Sequence, residues 1–139
     1  MPVKSLKRSF FQRLFGKPAT KPPQDPGCWS YAGGTVSVDL KRAPELGEPG
    51  GAVRLEGAAL PKRVLVFHGD DGEYHAFINQ CTHAKRRLDP VPDSGTIQCC
   101  SISKSTYDYS GQSCHGPGKK AISGLSVSVE ADQLTIKIE

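Results

Sequence analysis

A chain of 139 residues with 37% apolar side chains supports one domain with a modest core and little more. Its 15 glycines and 11 prolines favour short strands and turns over long helices, and no apolar run reaches the length of a membrane-spanning helix. The formal charge of +4 resides in residues 1–21, where Lys4, Lys7, Arg8, Arg13, Lys17 and Lys21 stand without an acid. The remainder carries 12 basic and 14 acidic residues, so the basic character belongs to the arm and is no sign of a nucleic-acid-binding face on the domain; no nucleic-acid partner is expected.

Residues 1–16 form a basic arm. Val3, Leu6, Phe10 and Leu14 fall within one arc at the helical period, with Phe11 and Phe15 beside them, while Lys7 and Arg13 intrude on its margins. Two readings stand: a weak contact with an anionic membrane surface or an acidic partner, or a tail, since a single short helix is marginal in water. Residues 17–27 hold four prolines and read as an extended linker. The folded domain is expected over residues 28–139.

That domain reads as all-β. Thr35–Leu40 alternates, and Pro49-Gly50-Gly51 turns into Ala52–Leu55. Val64–Phe67 and Tyr74–Ile78 flank the hairpin turn Gly69-Asp70-Asp71-Gly72. Thr96–Cys99 and Thr106–Tyr107 are short strands, and Leu125–Val129 and Leu134–Ile138 close the chain as a hairpin. Short strands at near-regular spacing predict an antiparallel β-sandwich or partial barrel.

The five cysteines, Cys28, Cys81, Cys99, Cys100 and Cys114, are odd in number and irregularly spaced, which argues against a disulfide scaffold. With no secretory signal in the basic start, a cytoplasmic setting is expected, peripheral to the membrane if the arm touches it. Cys99 alternates with Cys100 and suits a buried core thiol. Cys28 precedes the first strand and has no metal role, and His68 and His75 are expected at the surface.

Two polar loops carry the chemistry. One holds Cys81-Thr82-His83, and the other runs from Cys100 through Ser103 to Asp108, with sixteen residues between His83 and Cys100. If the loops converge, two thiolates and an imidazole meet, a soft donor set suited to iron–sulfur clusters or zinc rather than to calcium or magnesium.

Over most of residues 45–139 the chain resembles the Rieske family. That family pairs C-x-H with C-x-x-H across a spacer of this length, two Cys on one iron and two His on the other. Leu88, Gly95-Thr96-Ile97, Tyr107-Asp108-Tyr109-Ser110-Gly111 and Gly116-Pro117 match its flanking positions. The last two are similar to segments of the high-potential branch found in cytochrome bc complexes. The resemblance implies a Rieske-like antiparallel fold with a cluster-binding subdomain over about residues 81–118. It also implies a [2Fe–2S] cluster and one-electron transfer to a redox protein partner. Cys81 and Cys100 are then ligands of one iron and His83 of the other, and Ser105 and Tyr107 are the donors that tune the cluster.

The second box departs from the family. Its fourth ligand position is Ser103, Arg86 and Ile102 replace the disulfide cysteines of the bc-type branch, and Lys104 replaces a glycine. A serine hydroxyl must lose its proton to bind iron as imidazole does. The fourth position then falls to Ser103, to water, or to His115 as a substitute, unless the cluster is lost and only the fold kept. Lys85-Arg86-Arg87 and Lys104 make the loop tips basic, which favours an acidic partner. Three functions remain open: a ferredoxin-like carrier or non-catalytic subunit of an oxidoreductase, a cluster-free interaction module, and a mononuclear zinc or iron site.

Overall fold

The computed structural model describes residues 20–57, 59–80, 87–91, 94–99, 105–115 and 121–138. The basic arm over residues 1–16, with both of its readings, lies outside them. Among the described residues no helix is long and apolar enough to cross a membrane.

Their regular structure is almost wholly β, as the strand patterning predicts. The strands in chain order are β1 (Trp29–Ala32), β2 (Thr35–Asp39), β3 (Ala52–Leu55), β4 (Val64–His68), β5 (Tyr74–Ile78) and β6 (Leu88–Val91). They continue with β7 (Thr96–Cys99), β8 (Thr106–Asp108), β9 (Ser113–His115), β10 (Gly124–Glu130) and β11 (Gln133–Lys137). Single 3-10 turns occupy Pro26–Cys28, Leu40–Arg42 and Pro44–Leu46. Two antiparallel sheets result. The larger has the order β1-β2-β11-β10-β5-β4-β3, and the smaller β6-β7-β8-β9.

The larger sheet curls on itself. Val36 and Val38 of β2 and Leu134 and Ile136 of β11 share one buried cluster with Val53 and Leu55 of β3 and Val64 and Val66 of β4. Strands near opposite ends of the strand order thus bury the same core, as in a half-barrel. Cys28, 2% exposed, lies in this core, far from any polar loop in sequence, and burial raises its thiol pKa.

Strand β4 has two buried faces. Its even residues Val64 and Val66 face the first core, while Leu65 and Phe67 join Phe77, Leu88, Ile97, Cys99, Tyr107 and Ile122 in a second. A strand covered on both sides reads as a continuous apolar run, which is why Val64–Phe67 lacks alternation. The second core fastens the small sheet to the large one, and Cys99 is part of it, wholly buried.

Three strands carry no clear sequence signal. Trp29–Ala32 pairs with β2 through a tight turn at Gly33 and Gly34, both at positive φ. Leu88–Val91 contains Asp89 and Pro90, which read as loop. Pro90 is tolerated because β6 is an edge strand of the small sheet. Ser113–His115 is polar and its pairing with β8 is irregular between Thr106 and Tyr107. The predicted final hairpin is present, but its pairing extends to Glu130 and Gln133, leaving a turn of Ala131-Asp132.

Residues 20–27 of the proline-rich segment lie along the domain. Lys21 O accepts from Arg54 N at 3.0 Å, Thr20 N donates to buried Asp89 Oδ1 at 2.7 Å, and Pro23 is buried.

Candidate metal centre

The small sheet places its connections at two ends. β6 begins at Leu88, β7 ends at Cys99, β8 begins at Thr106, and β9 ends at His115. Leu88 and Cys99 are register partners, as are Thr106 and His115. The connection that follows Gln80, coming from β5 of the large sheet, therefore enters the small sheet at the end from which the connections after Cys99 and His115 leave it. Cys81, His83, Cys100 and Ser103 stand in the first two connections and lie outside the described residues. His115 is placed by its strand, opposite the first residue of β8.

Short hydrogen bonds close the necks of the first two connections. Leu88 N donates to Asn79 Oδ1 at 2.6 Å, which ties exit to entry of the first. Cys99 N donates to Ser105 O at 2.7 Å, which does the same for the second. Arg87, the residue before β6, grips Glu56 with two bonds of 2.7 and 2.8 Å. Arg54 Nη1 approaches the same carboxylate at 3.2 Å. The Arg87 guanidinium is the main cause of the lowered pKa of Glu56.

Ser105 and Tyr107 are both wholly buried. Tyr107 pairs with Ile97 and its ring belongs to the second core, so the core-aromatic role holds for the ring whatever the hydroxyl does. Cys114, next to His115, is an exposed free thiol, and its sulfur donates to Thr106 O at 3.5 Å.

The opposite end of the sheet is latched to the large one. Asp70 Oδ2 accepts from Ser94 N and Gly95 N, both at 3.1 Å, and from Tyr109 Oη at 3.2 Å. The Tyr107-Asp108-Tyr109-Ser110-Gly111 segment is a turn with a physical logic. Asp108 Oδ1 accepts from Ser110 Oγ, Ser110 N and Gln112 N at 2.6, 2.9 and 3.0 Å, and these bonds, the Ser110 hydroxyl foremost, lower its pKa. Gly111 follows at φ +91°, where a side chain is strained.

The expectation that His68 and His75 are surface residues is corrected. His68 Nδ1 donates to Leu46 O at 2.9 Å and its ring packs on Tyr74. His75 Nε2 lies 2.8 Å from Asp71 Oδ2, with its side chain 20% exposed. Its ring stacks on Phe67 and packs on Tyr109, with centroids 5.3 and 4.7 Å away. Both half-buried rings help seat the β4–β5 hairpin. Nothing in the sequence pattern distinguishes such a histidine from a solvated one, because Leu46 and Tyr109, which help cover the rings, are distant in the chain.

The geometry fits a thiolate- and imidazole-bound iron–sulfur group. The two connections that hold the soft donors in sequence meet neighbouring strand ends, and the sheet they join buries Leu88, Ile97, Cys99 and Tyr107 in one core. The Rieske [2Fe–2S] domain model matches residues 38–129. Among solved structures the chain is similar to a ferredoxin of carbazole 1,9a-dioxygenase from Nocardioides aromaticivorans IC177, at 19% identity over 66% of this chain and 88% of that one, TM-score 0.56. It is similar at 17% identity, over 66% and 84%, TM-score 0.55, to a chain in a complex of reduced oxygenase and oxidized ferredoxin in carbazole 1,9a-dioxygenase. A plasma-membrane Rieske protein from Synechocystis PCC 6803 aligns at 20% identity over 60% and 85%, TM-score 0.50. No curated protein matches the chain. At these identities the solved structures speak for the fold, and the family is carried by the match over residues 38–129. Strand order, two necks at one sheet end and that match lead to one assignment: the chain belongs to the Rieske [2Fe–2S] domain family.

Proposed function

We propose that this chain is a Rieske-type one-electron carrier, ferredoxin-like or a redox subunit, with an atypical fourth ligand. The observation that supports it most is that both donor-bearing connections join the same end of the β6–β9 sheet, each with its neck closed by a short hydrogen bond. Cys81 and Cys100 would hold one iron and His83 the other, with Ser103, water or His115 completing the set. The bound cluster supplies reversible uptake of a single electron. The chain's own contribution is to hold the loop necks, to keep the sheet beneath dry, and to offer Ser105 and Tyr107 as donors. Such donors favour the extra negative charge of the reduced state. With the Asp108–Gly111 turn, they support the high-potential branch. The domain limits proposed are 28–139, with residues 17–27 as a Pro-rich linker.

The partner is a redox protein, as an oxygenase is for the ferredoxin of the carbazole 1,9a-dioxygenase complex. Lys85, Arg86, Arg87 and Lys104 favour an acidic face on it, although Arg87 is already paired to Glu56. The arm over residues 1–16 would add a weak electrostatic contact with an anionic surface.

Anaerobic purification followed by iron, sulfide and zinc analysis tests this. Two irons and two sulfides per chain with a Rieske visible spectrum are expected; a colourless metal-free protein, or one holding zinc or a single iron, would reject it. Ser103 in place of imidazole also removes one of two titrating ligands. The midpoint potential should therefore depend on pH more weakly than with two histidines, and Ser103→His should strengthen that dependence. An unchanged two-proton slope in the native chain would reject Ser103 and water as the fourth ligand and leave His115.

A further inference from the structure

Asn79 stands at the entry of the first donor-bearing connection and is wholly buried. Nearly all of its hydrogen-bonding capacity is accounted for. Its backbone N–H donates to Arg63 O at 2.9 Å. Its backbone oxygen accepts from Arg63 Nε and Nη2 at 3.2 and 3.1 Å. Its side-chain oxygen accepts from Leu88 N at 2.6 Å. That last bond also sets the amide orientation, because only the oxygen can receive an N–H. What is left is the NH2 group, which is buried and finds no acceptor among the described residues.

A buried amide donor without an acceptor costs about 1–3 kcal/mol, so such a group calls for a partner. Carbonyls of the two necks are already engaged: Ile78 O by Gln80 N, Asn79 O by Arg63, Ser105 O by Cys99 N. In sequence, the first residues past the two necks are Gln80 with Cys81 and His83, and Cys100. Thiolates and sulfides bound to iron are negatively charged acceptors.

We propose that the Asn79 side-chain amide donates a hydrogen bond to a sulfur of the [2Fe–2S] cluster, sulfide or Cys81 thiolate. This rests on the reading of the two loops as cluster ligands. Asn79 is then a positioning and tuning residue: its oxygen ties the loop neck at Leu88 while its nitrogen stabilises the charge that reduction adds. The two roles use opposite ends of one planar group, so holding the neck fixes the donor.

Asn79 is the one asparagine in the chain, which allows a test without mutation. The full chain is prepared anaerobically with asparagine labelled by 15N at the side-chain amide, and the cluster is reduced. Pulsed electron–nuclear double resonance should detect a 15N coupling that the unlabelled protein lacks. Asn79→Leu should lose that signal and show a lower midpoint potential with iron and sulfide retained. A fully reduced cluster, at two irons and two sulfides per chain, without 15N coupling would overturn the proposal, as would an unshifted potential in a fully loaded Asn79→Leu. Protein devoid of iron and sulfide would instead overturn the cluster reading, and the hydrogen bond with it. Metal analysis separates the two failures.

Discussion

Tyr107 has to serve two ends with one side chain. Its ring fills the second core between β4 and the small sheet, wholly buried, and its hydroxyl is the proposed donor to the cluster. Tyr107→Phe separates these roles. The ring packing stays, so the unfolding midpoint should change by no more than a lost hydrogen bond allows, about 0.5–1.5 kcal/mol, while the reduction potential should fall. Tyr107→Ala should cost about 3–5 kcal/mol, as large-to-small changes in a tight core do. Spectroelectrochemistry beside thermal unfolding reads both, and an unmoved potential in Tyr107→Phe would assign the residue to packing alone.

Glu56 acts at the same scale on the first loop. Its carboxylate is two-pronged on Arg87 and within 3.2 Å of Arg54. The folded-state pKa lies below the ordinary 4.5, chiefly through the Arg87 hydrogen bond. A lowered carboxylate pKa means the contribution is fully present above 4.5 and is lost as pH falls through the lower folded value. Glu56→Gln should therefore be less stable than the native chain at neutral pH by about 1–3 kcal/mol, with the gap closing in acid. Urea melts across pH measure it; a gap that widens on acidification would exclude this role.

Among elements, the β8–β9 turn is the most constrained. Asp108 collects three bonds from the residues it leads into, and Gly111 closes the turn at φ +91° with Ile122 O only 2.7 Å from where a Cβ would stand. Gly111 O also receives Ile122 N at 2.9 Å, so the backbone cannot move away freely. Gly111→Ala meets both an unfavourable φ and a backbone atom, and should destabilise by more than the roughly 0.4–1 kcal/mol that a tolerated Gly→Ala change gains. The loss should appear as faster amide exchange in β8 and β9 before β2 or β11. Uniform exchange across both sheets would show that the small sheet does not open separately.

The same turn shows how much of the site could be read in advance. Asp108-Tyr109-Ser110-Gly111 announces a turn through residue types that act within a few positions, and so it is legible from sequence. The latch that Asp70 makes with Ser94, Gly95 and Tyr109 is not, since its partners come from two other turns distant in the chain. The edge strand β6 was equally hidden, because Asp89 and Pro90 look like loop until Thr20 N satisfies the buried carboxylate from 69 positions away.

For the molecule as a whole, β4 is the shared wall of two cores, and the N-terminal segment is the strap that crosses them. Lys21 bonds to β3 and Thr20 to β6, so residues 20–27 touch both sheets. Removal of residues 1–19 should leave the unfolding temperature near that of the full chain, whereas removal of residues 1–27 should lower it and expose Asp89. Calorimetry on the two truncations would decide, and equal loss in both would place structural contacts within the basic arm.

The positions of most strands, the turns between them, the soft donors in two polar loops and the departure at Ser103 could be read from sequence, because alternation, turn chemistry and ligand type act over a few neighbouring residues. The tertiary structure alone decided which loops share a sheet end, that His68 and His75 are half-buried, and that Asn79 is clamped on all sides but one. Those facts depend on contacts between residues far apart in the chain, and no local pattern carries them.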